Sequence, residues 1–240
     1  MSILSHHLSN IRSKLRQWLP AQPCLLCGAF SHDGLCCAAC RADLPRLPHA
    51  RCPVCALPTA QGEVCGRCLR EPPPFEQTEA AFSYAFPLDA LVKALKFHER
   101  LIVVDFLAEE LAQQIRQRPD AVLALPLHPL RLQARGFNQS QLLAARLAQQ
   151  FGLPVLNGVA ERVRDTPPQS TLPWKERDKN MRHAFAVRQP DAVRGRHLAI
   201  VDDVMTTGAS TGELAAALKA AGAQRITVWV VARTLPHEKT

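Results

Sequence analysis

Eight cysteines arranged as four CxxC pairs, Cys24/Cys27, Cys37/Cys40, Cys52/Cys55 and Cys65/Cys68, constrain this chain more than any other feature. Successive pairs are separated by nine, eleven and nine residues, a near-repeat, and all nine cysteines of the chain fall before residue 70. A CxxC brings two thiolates onto one tight turn at the separation a tetrahedral zinc ion requires, and two such turns complete a four-sulfur site. Disulfides compete for the same residues, but they do not persist in a reducing cytoplasm, and nothing in the sequence directs export. A thioredoxin-type redox pair uses one CxxC between a strand and a helix, not four in Pro-rich sequence. The spacing therefore predicts two structural zinc ribbons. The simplest pairing joins Cys24/Cys27 to Cys37/Cys40 and Cys52/Cys55 to Cys65/Cys68; an interleaved arrangement satisfies the same spacing, and Cys36 competes with Cys37 for a ligand position. With every ligand supplied by the protein, no position is left for water, so such zinc stabilises a fold and does not catalyse.

Around this ribbon, read as residues 22–71, the sequence divides into further segments. Residues 1–20 carry Leu4, Leu8, Ile11, Leu15 and Leu19 at helical spacing with Arg12, Lys14 and Arg16 between them, an amphipathic helix and not a secretion signal. The Pro72-Pro73-Pro74 run can neither continue a helix nor sit inside a sheet, so residues 72–75 read as a stiff linker. Residues 76–236 form the main domain. Aromatics supply only 5% of the 240 residues, so its core is aliphatic, and no apolar run reaches the roughly 20 residues of a membrane-spanning helix. A cytoplasmic chain is expected.

Within the main domain, strand-like segments at 79–86, 121–127, 198–201 and 226–232 alternate with helical spacing at 88–97, 102–116, 139–150 and 211–221. Such alternation argues an α/β fold, a parallel sheet covered by helices on both faces. The segment LAIVDDVMTTGAST, residues 198–211, is the most informative: a buried strand runs into Asp202 and Asp203, and Thr206, Thr207, Gly208, Ala209 and Ser210 then open into a helix. Ligands of open α/β sheets bind at the carboxyl ends of strands. A helix amino terminus with a glycine and hydroxyl side chains is a ready site for phosphate. Acids beside it would repel that anion, so they must face another part of the ligand, and ribose hydroxyls or a bridging magnesium ion fit. There is no Walker lysine pattern and no GxGxxG.

The strand, the DD pair and TTGAST closely resemble the 5-phosphoribosyl-1-diphosphate (PRPP) signature of type I phosphoribosyltransferases. Joined to the Cys-rich ribbon, LPLHPLRLQARGFNQS at 125–140 and the stretch from Arg164 to Phe185, the chain resembles the ComF/GntX family of competence and DNA-utilisation proteins. The resemblance implies a type I phosphoribosyltransferase-like fold. It implies that Asp202 and Asp203 hold the ribose and Thr206 to Ser210 the 5-phosphate. Leu127, His128 and Arg131 would approach the diphosphate, with Arg135 and Lys175 or Arg177 closing over it. Magnesium would accompany PRPP, and single-stranded DNA or the DNA-uptake machinery would be a partner.

The charge balance agrees with an anionic ligand. Net charge is +8, and between Arg131 and Arg196 twelve basic residues stand against five acids, 12 − 5 = +7. Three readings stay open from the sequence: a phosphoribosyl transferase, a non-catalytic PRPP-binding adaptor, and a zinc-ribbon module for single-stranded DNA. The scarcity of aromatics weighs against the last, which needs stacking surfaces. Metal analysis of the purified chain should find two zinc ions; one ion would mean that a single ribbon is real.

Overall fold

The computed structural model describes residues 21–32, 34–98, 100–164 and 183–236. The expected helix over 1–20, together with Lys175 and Arg177, lies outside the described residues. The ribbon region contributes β1 (Gln22–Pro23), β2 (Phe30–Ser31), α1 (Ala38–Ala42) and α2 (Gly66–Arg70). Then follow β3 (Gln77–Ser83), α3 (Leu88–His98), α4 (Ile102–Ala112), β4 (Ala121–Ala124), α5 (Pro129–Arg135), α6 (Gln139–Phe151), the hairpin strands β5 (Ala160–Arg162) and β6 (Phe185–Val187), β7 (His197–Met205), α7 (Ala209–Ala220) and β8 (Arg225–Arg233). Among the described residues no helix is long and apolar enough to cross a membrane.

β3, β8, β7 and β4 form one parallel sheet in that order. Side chains of a strand alternate between faces, and a parallel sheet has to be covered on both. Ala199 and Val201 of β7, with Trp229 and Val231 of β8, accordingly join a core built with α3, α4 and α6. Leu198, Ile200, Val228 and Val230 join the opposite core, with Leu214, Ala215 and Leu218 of α7. The β7–β8 register continues past the apolar stretch, pairing Asp202 with Val230 and Met205 with Arg233, so β7 carries the two acids inside the sheet. The parallel α/β fold expected from the alternation is the fold found, with the Cys-rich region packed at its edge.

That region straddles edge strand β3. Arg46 forms an antiparallel bridge with Phe82, Ser83 N–H donates to Pro45 O at 2.8 Å, and Thr78 N–H donates to Pro53 O at 3.2 Å. These bonds cover an edge that would otherwise offer unpaired backbone groups. Cys24, Cys36 and Leu44 belong to the core under α3 and α4, whereas Cys52, Cys55, Ala56 and Cys68 belong to the core under α7. The proline run leads directly into Phe75, which is buried in that second core, and Pro74 lies against Gly212 of α7.

The first half is also held by charge. Glu110 of α4 is fully buried and accepts from Arg41 Nη1 at 2.6 Å and Arg46 Nη2 at 2.7 Å. Removing one member of a buried pair costs about 3–5 kcal/mol. Here solvent reaches both arginines, 26% and 42% exposed, and screens part of the attraction. Glu110→Gln should therefore lower unfolding free energy by about 1–3 kcal/mol in urea denaturation; an unchanged midpoint would mean the clamp carries no stability.

Candidate functional site

The carboxyl end of β7 gathers the polar groups. Met205 ends the strand, Thr206 and Thr207 turn, and Gly208 starts α7 with φ +89°, in the left-handed region that favours glycine. Thr207 Oγ1 accepts from Ala209 N–H at 3.1 Å, and Thr211 Oγ1 donates to Gly208 O at 3.0 Å, so these two hydroxyls hold the turn's own shape. Asp202, Thr206, Gly208, Ala209 and Ser210 line one small hollow at this turn.

The two acids have different surroundings. Asp202 Oδ1 accepts from Ser140 Oγ at 2.8 Å and from Asp203 N–H at 2.9 Å. Asp203 lies deeper, ion-paired to Lys96 Nζ of α3 and accepting from Gln139 Nε2 at 3.3 Å. Burial, then the neighbouring Asp203 charge, push Asp202 up to about 7. Burial pushes Asp203 up as well, but the Lys96 ammonium more than offsets it and holds that carboxyl below its ordinary value. One acid is thus firmly charged and the other titrates near neutrality.

The remaining sequence-predicted residues sit on the neighbouring strand end. Leu127 and His128 lie after β4 and line a separate cavity of about 530 Å³ beside the β5 strand, with Asn138, Gln141 and Arg162 also on its wall. His128 caps α5, its Nδ1 accepting from Leu130 N–H at 3.4 Å, and Arg131 sits in the first turn of that helix. Arg135, in the last turn, donates to Gln139 Oε1 at 2.6 Å. The turn after β7 and Asp202 are therefore brought together, Asp203 stands behind them, and Arg135 reaches the acids through Gln139. Leu127 and His128 open on the other cavity. Lys175 and Arg177 lie outside the described residues.

Lys96 and Gln139 are the site residues that the sequence reading passed over. The signal for Lys96 is position: Leu88, Leu91, Val92 and Leu95 make the buried stripe of α3, and Lys96 flanks it four residues after Val92. Lys93, by contrast, pairs with Asp89 at 2.7 Å on the exposed face.

The cysteines form two quartets, Cys24/Cys27/Cys37/Cys40 and Cys52/Cys55/Cys65/Cys68, with ligand atoms within 4.8 Å of one another. Sulfur pairs across the turns lie at 3.9 Å (Cys27–Cys37) and 3.6 Å (Cys55–Cys65). A tetrahedron of ~2.3 Å Zn–S bonds has edges of about 3.8 Å, so the donor sets fit structural zinc. The interleaved pairing is not the one found. Cys36 stands outside both quartets, and burial pushes its thiol up to about 12.

Residues 15–69 match the double zinc ribbon domain family and residues 92–239 the phosphoribosyl transferase domain family. "DNA utilization protein YhgH" of Salmonella typhimurium is 39% identical over 224 residues, covering 88% of this chain and 97% of the relative. "Competence protein F" of Haemophilus influenzae is 30% identical, covering 88% and 96%, and "Competence protein ComFC" of Bacillus subtilis 24% identical, covering 78% and 84%. The chain belongs to the ComF family. Two cysteine quartets and a phosphoribosyl transferase domain thus meet in one ComF chain, with the strand-to-helix turn of that domain beside the second quartet.

The opposed shifts of the two acids give this ComF protein a pH signature. Asp202 is raised from an ordinary 3.8, so it stabilises the fold below that pH, and the contribution is lost as pH rises through about 7. Asp202→Asn keeps an acceptor for Ser140 but cannot ionise. It should be more stable than the parent at pH 8, by on the order of 1–3 kcal/mol, with the gap closing near pH 4. Denaturant unfolding at the two pH values reads the difference; a gap independent of pH would refute the assignment.

Proposed function

We propose that this ComF-family chain is a PRPP-binding phosphoribosyltransferase-type protein that works with magnesium and serves the use of DNA. The observation that carries this reading is the shared hollow at the end of β7, where Asp202 faces the turn that opens α7. The positive dipole end of α7 suits the 5-phosphate, with Thr206, Gly208, Ala209 and Ser210 around it and Thr207 shaping the turn. Asp202 accepts from the ribose hydroxyls. Asp203, ion-paired to Lys96, stands behind it, so the carboxylate that answers developing positive charge on the ribose is that of Asp202.

The chain's part in the chemistry is positioning and charge stabilisation. As the bond between the anomeric carbon and diphosphate breaks, positive charge grows on the ribose and negative charge on the leaving group. His128, Arg131 and Arg135 answer the second on the segment that begins at Leu127, and the resemblance assigns Lys175 or Arg177, outside the described residues, to the same charge. Magnesium bound with PRPP supplies charge neutralisation for the diphosphate, with Asp202 and Asp203 as the nearby carboxylates. The relatives named "DNA utilization protein" and "Competence protein" support a place in the handling of DNA.

A ligand that binds only the native state stabilises it, by about 2.7 kcal/mol at a hundredfold excess over Kd. Magnesium with millimolar PRPP should therefore raise the melting temperature by several degrees. Asp202→Asn with Asp203→Asn should abolish the rise. Gly208→Ala should weaken PRPP binding at least about tenfold, because the left-handed turn disfavours a side chain and the new Cβ would meet Met205 Cε at 2.8 Å. An unchanged melting curve would overturn the reading. Where PRPP binds, diphosphate release in a screen of nitrogen bases separates a transferase from an adaptor.

A further inference from the structure

We propose that Arg233 couples the second cysteine quartet to the phosphate turn, so that metal held by Cys52, Cys55, Cys65 and Cys68 and an anion held at the turn stabilise one another, while the first quartet takes no part. The anion half of this coupling rests on the PRPP reading above; the structural half does not.

Arg233 is the last residue of β8, paired in register with Met205 on one side and Ser83 on the other, and it is fully buried. Its guanidinium donates to four backbone carbonyls. Nε bonds Cys55 O at 2.8 Å, while Nη1 bonds Met205 O at 3.0 Å, Thr234 O at 2.9 Å and Thr206 O. A single planar fork thus ties the carbonyl of a metal-ligand residue to the two residues that begin the phosphate turn. Lysine, with one nitrogen, cannot hold both ends.

A second set of contacts runs alongside. Thr78 fixes the Cys52–Cys55 turn to β3, its N–H donating to Pro53 O and its Oγ1 to Val54 O at 2.7 Å. The same hydroxyl lies 4.0 Å from Met205 Sδ, and Met205 Cε in turn packs beside Gly208. Cysteine turn, Thr78, Met205 and Gly208 are therefore one packed layer.

The charge balance gives the coupling its cause. Among the described residues no carboxylate pairs with Arg233, yet a buried guanidinium needs a counter-charge. The carbonyl that its Nε bonds belongs to Cys55, so the guanidinium lies directly against the second quartet. Four thiolates on a divalent ion leave a net negative centre, whereas four metal-free neutral thiols leave none. Metal loss would strip Arg233 of its partner and release the Met205 and Thr206 carbonyls it orients. The first quartet packs in the core on the opposite face of the sheet, secured through Arg41, Arg46 and Glu110.

The test uses the full zinc-loaded chain. A chelator is added, newly freed cysteines are alkylated, and peptides are mapped by mass spectrometry with and without magnesium and PRPP. Saturating PRPP should slow alkylation of Cys52–Cys68 at least about fivefold and leave Cys24–Cys40 unchanged, a coupling of ordinary size that must act in both directions. Protection of both quartets alike, or of neither while PRPP binds, overturns the proposal. Hydrogen exchange of the 205–209 amides, which involves no ligand, should rise in Arg233→Lys together with exchange at 52–57. It should stay at the parent level in Glu110→Gln. Exchange unchanged in Arg233→Lys, or raised equally in both variants, also overturns the coupling. If the parent chain binds no PRPP, the functional reading fails and the exchange result alone decides the coupling. If Arg233→Lys does not fold, the alkylation pattern of the parent chain decides it.

Discussion

Two carboxylates side by side within a buried strand repel each other and lack water, so the end of β7 is stable only if one of them is neutralised. Lys96 does this for Asp203, from a helix more than a hundred residues earlier in the chain. Ser140 and Gln139, at the start of α6, donate to Oδ1 of Asp202 and of Asp203 respectively. α3 and α6 are thereby pinned to β7 by polar bonds as well as by the leucines and alanines beneath them. The turn that follows β7 consequently leaves the sheet from a defined place, and Asp202 is free to meet it from one side.

The Cys-rich region is part of the same construction. Small metal-bound domains often gain their stability from the ion alone, but here each half of the ribbon fills one of the two cores and the strip between them covers β3. The parallel sheet needs both faces covered, and its helices do not suffice near the β3 edge. The cysteine quartets, whose donor sets fit structural zinc, form walls of those cores. Cys55 offers a carbonyl to Arg233, and the second wall becomes continuous with the turn after β7.

The sequence was most legible where local signals agreed. Helical spacing over 88–97 and 139–150 became Leu88–His98 and Gln139–Phe151, the second capped by Asn138, whose side chain accepts from Ser140 N–H. Boundaries failed where neighbours decided them. β7 was expected to stop at Val201, but pairing with β8 carries it to Met205, because hydrogen bonds in register outweigh the change to acidic side chains. α7 begins at Ala209 and not at Thr211, since Gly208 takes the left-handed conformation that admits the extra turn. β4 ends at Ala124 and α4 at Ala112, short of the apolar runs that suggested 127 and 116, although Leu125 N–H still donates to Val201 O at 2.9 Å and Ile115 still packs on the core. Position beside the apolar stripe of α3 separated Lys96 from Lys93, but only the fold supplied Asp203 as its partner.

By itself the sequence determined the cysteine spacing, the strand-helix alternation and the acid–turn–helix segment, because each is a pattern among residues close in the chain, where covalent geometry and side-chain period leave few choices. The tertiary structure alone decided which pairs of cysteines share a site, which of two adjacent acids keeps its charge, and that Arg233 joins a cysteine turn to the turn after β7. The last two outcomes depend on burial and on groups brought together across 62 to 178 positions, whose energies exist only once the sheet has assembled.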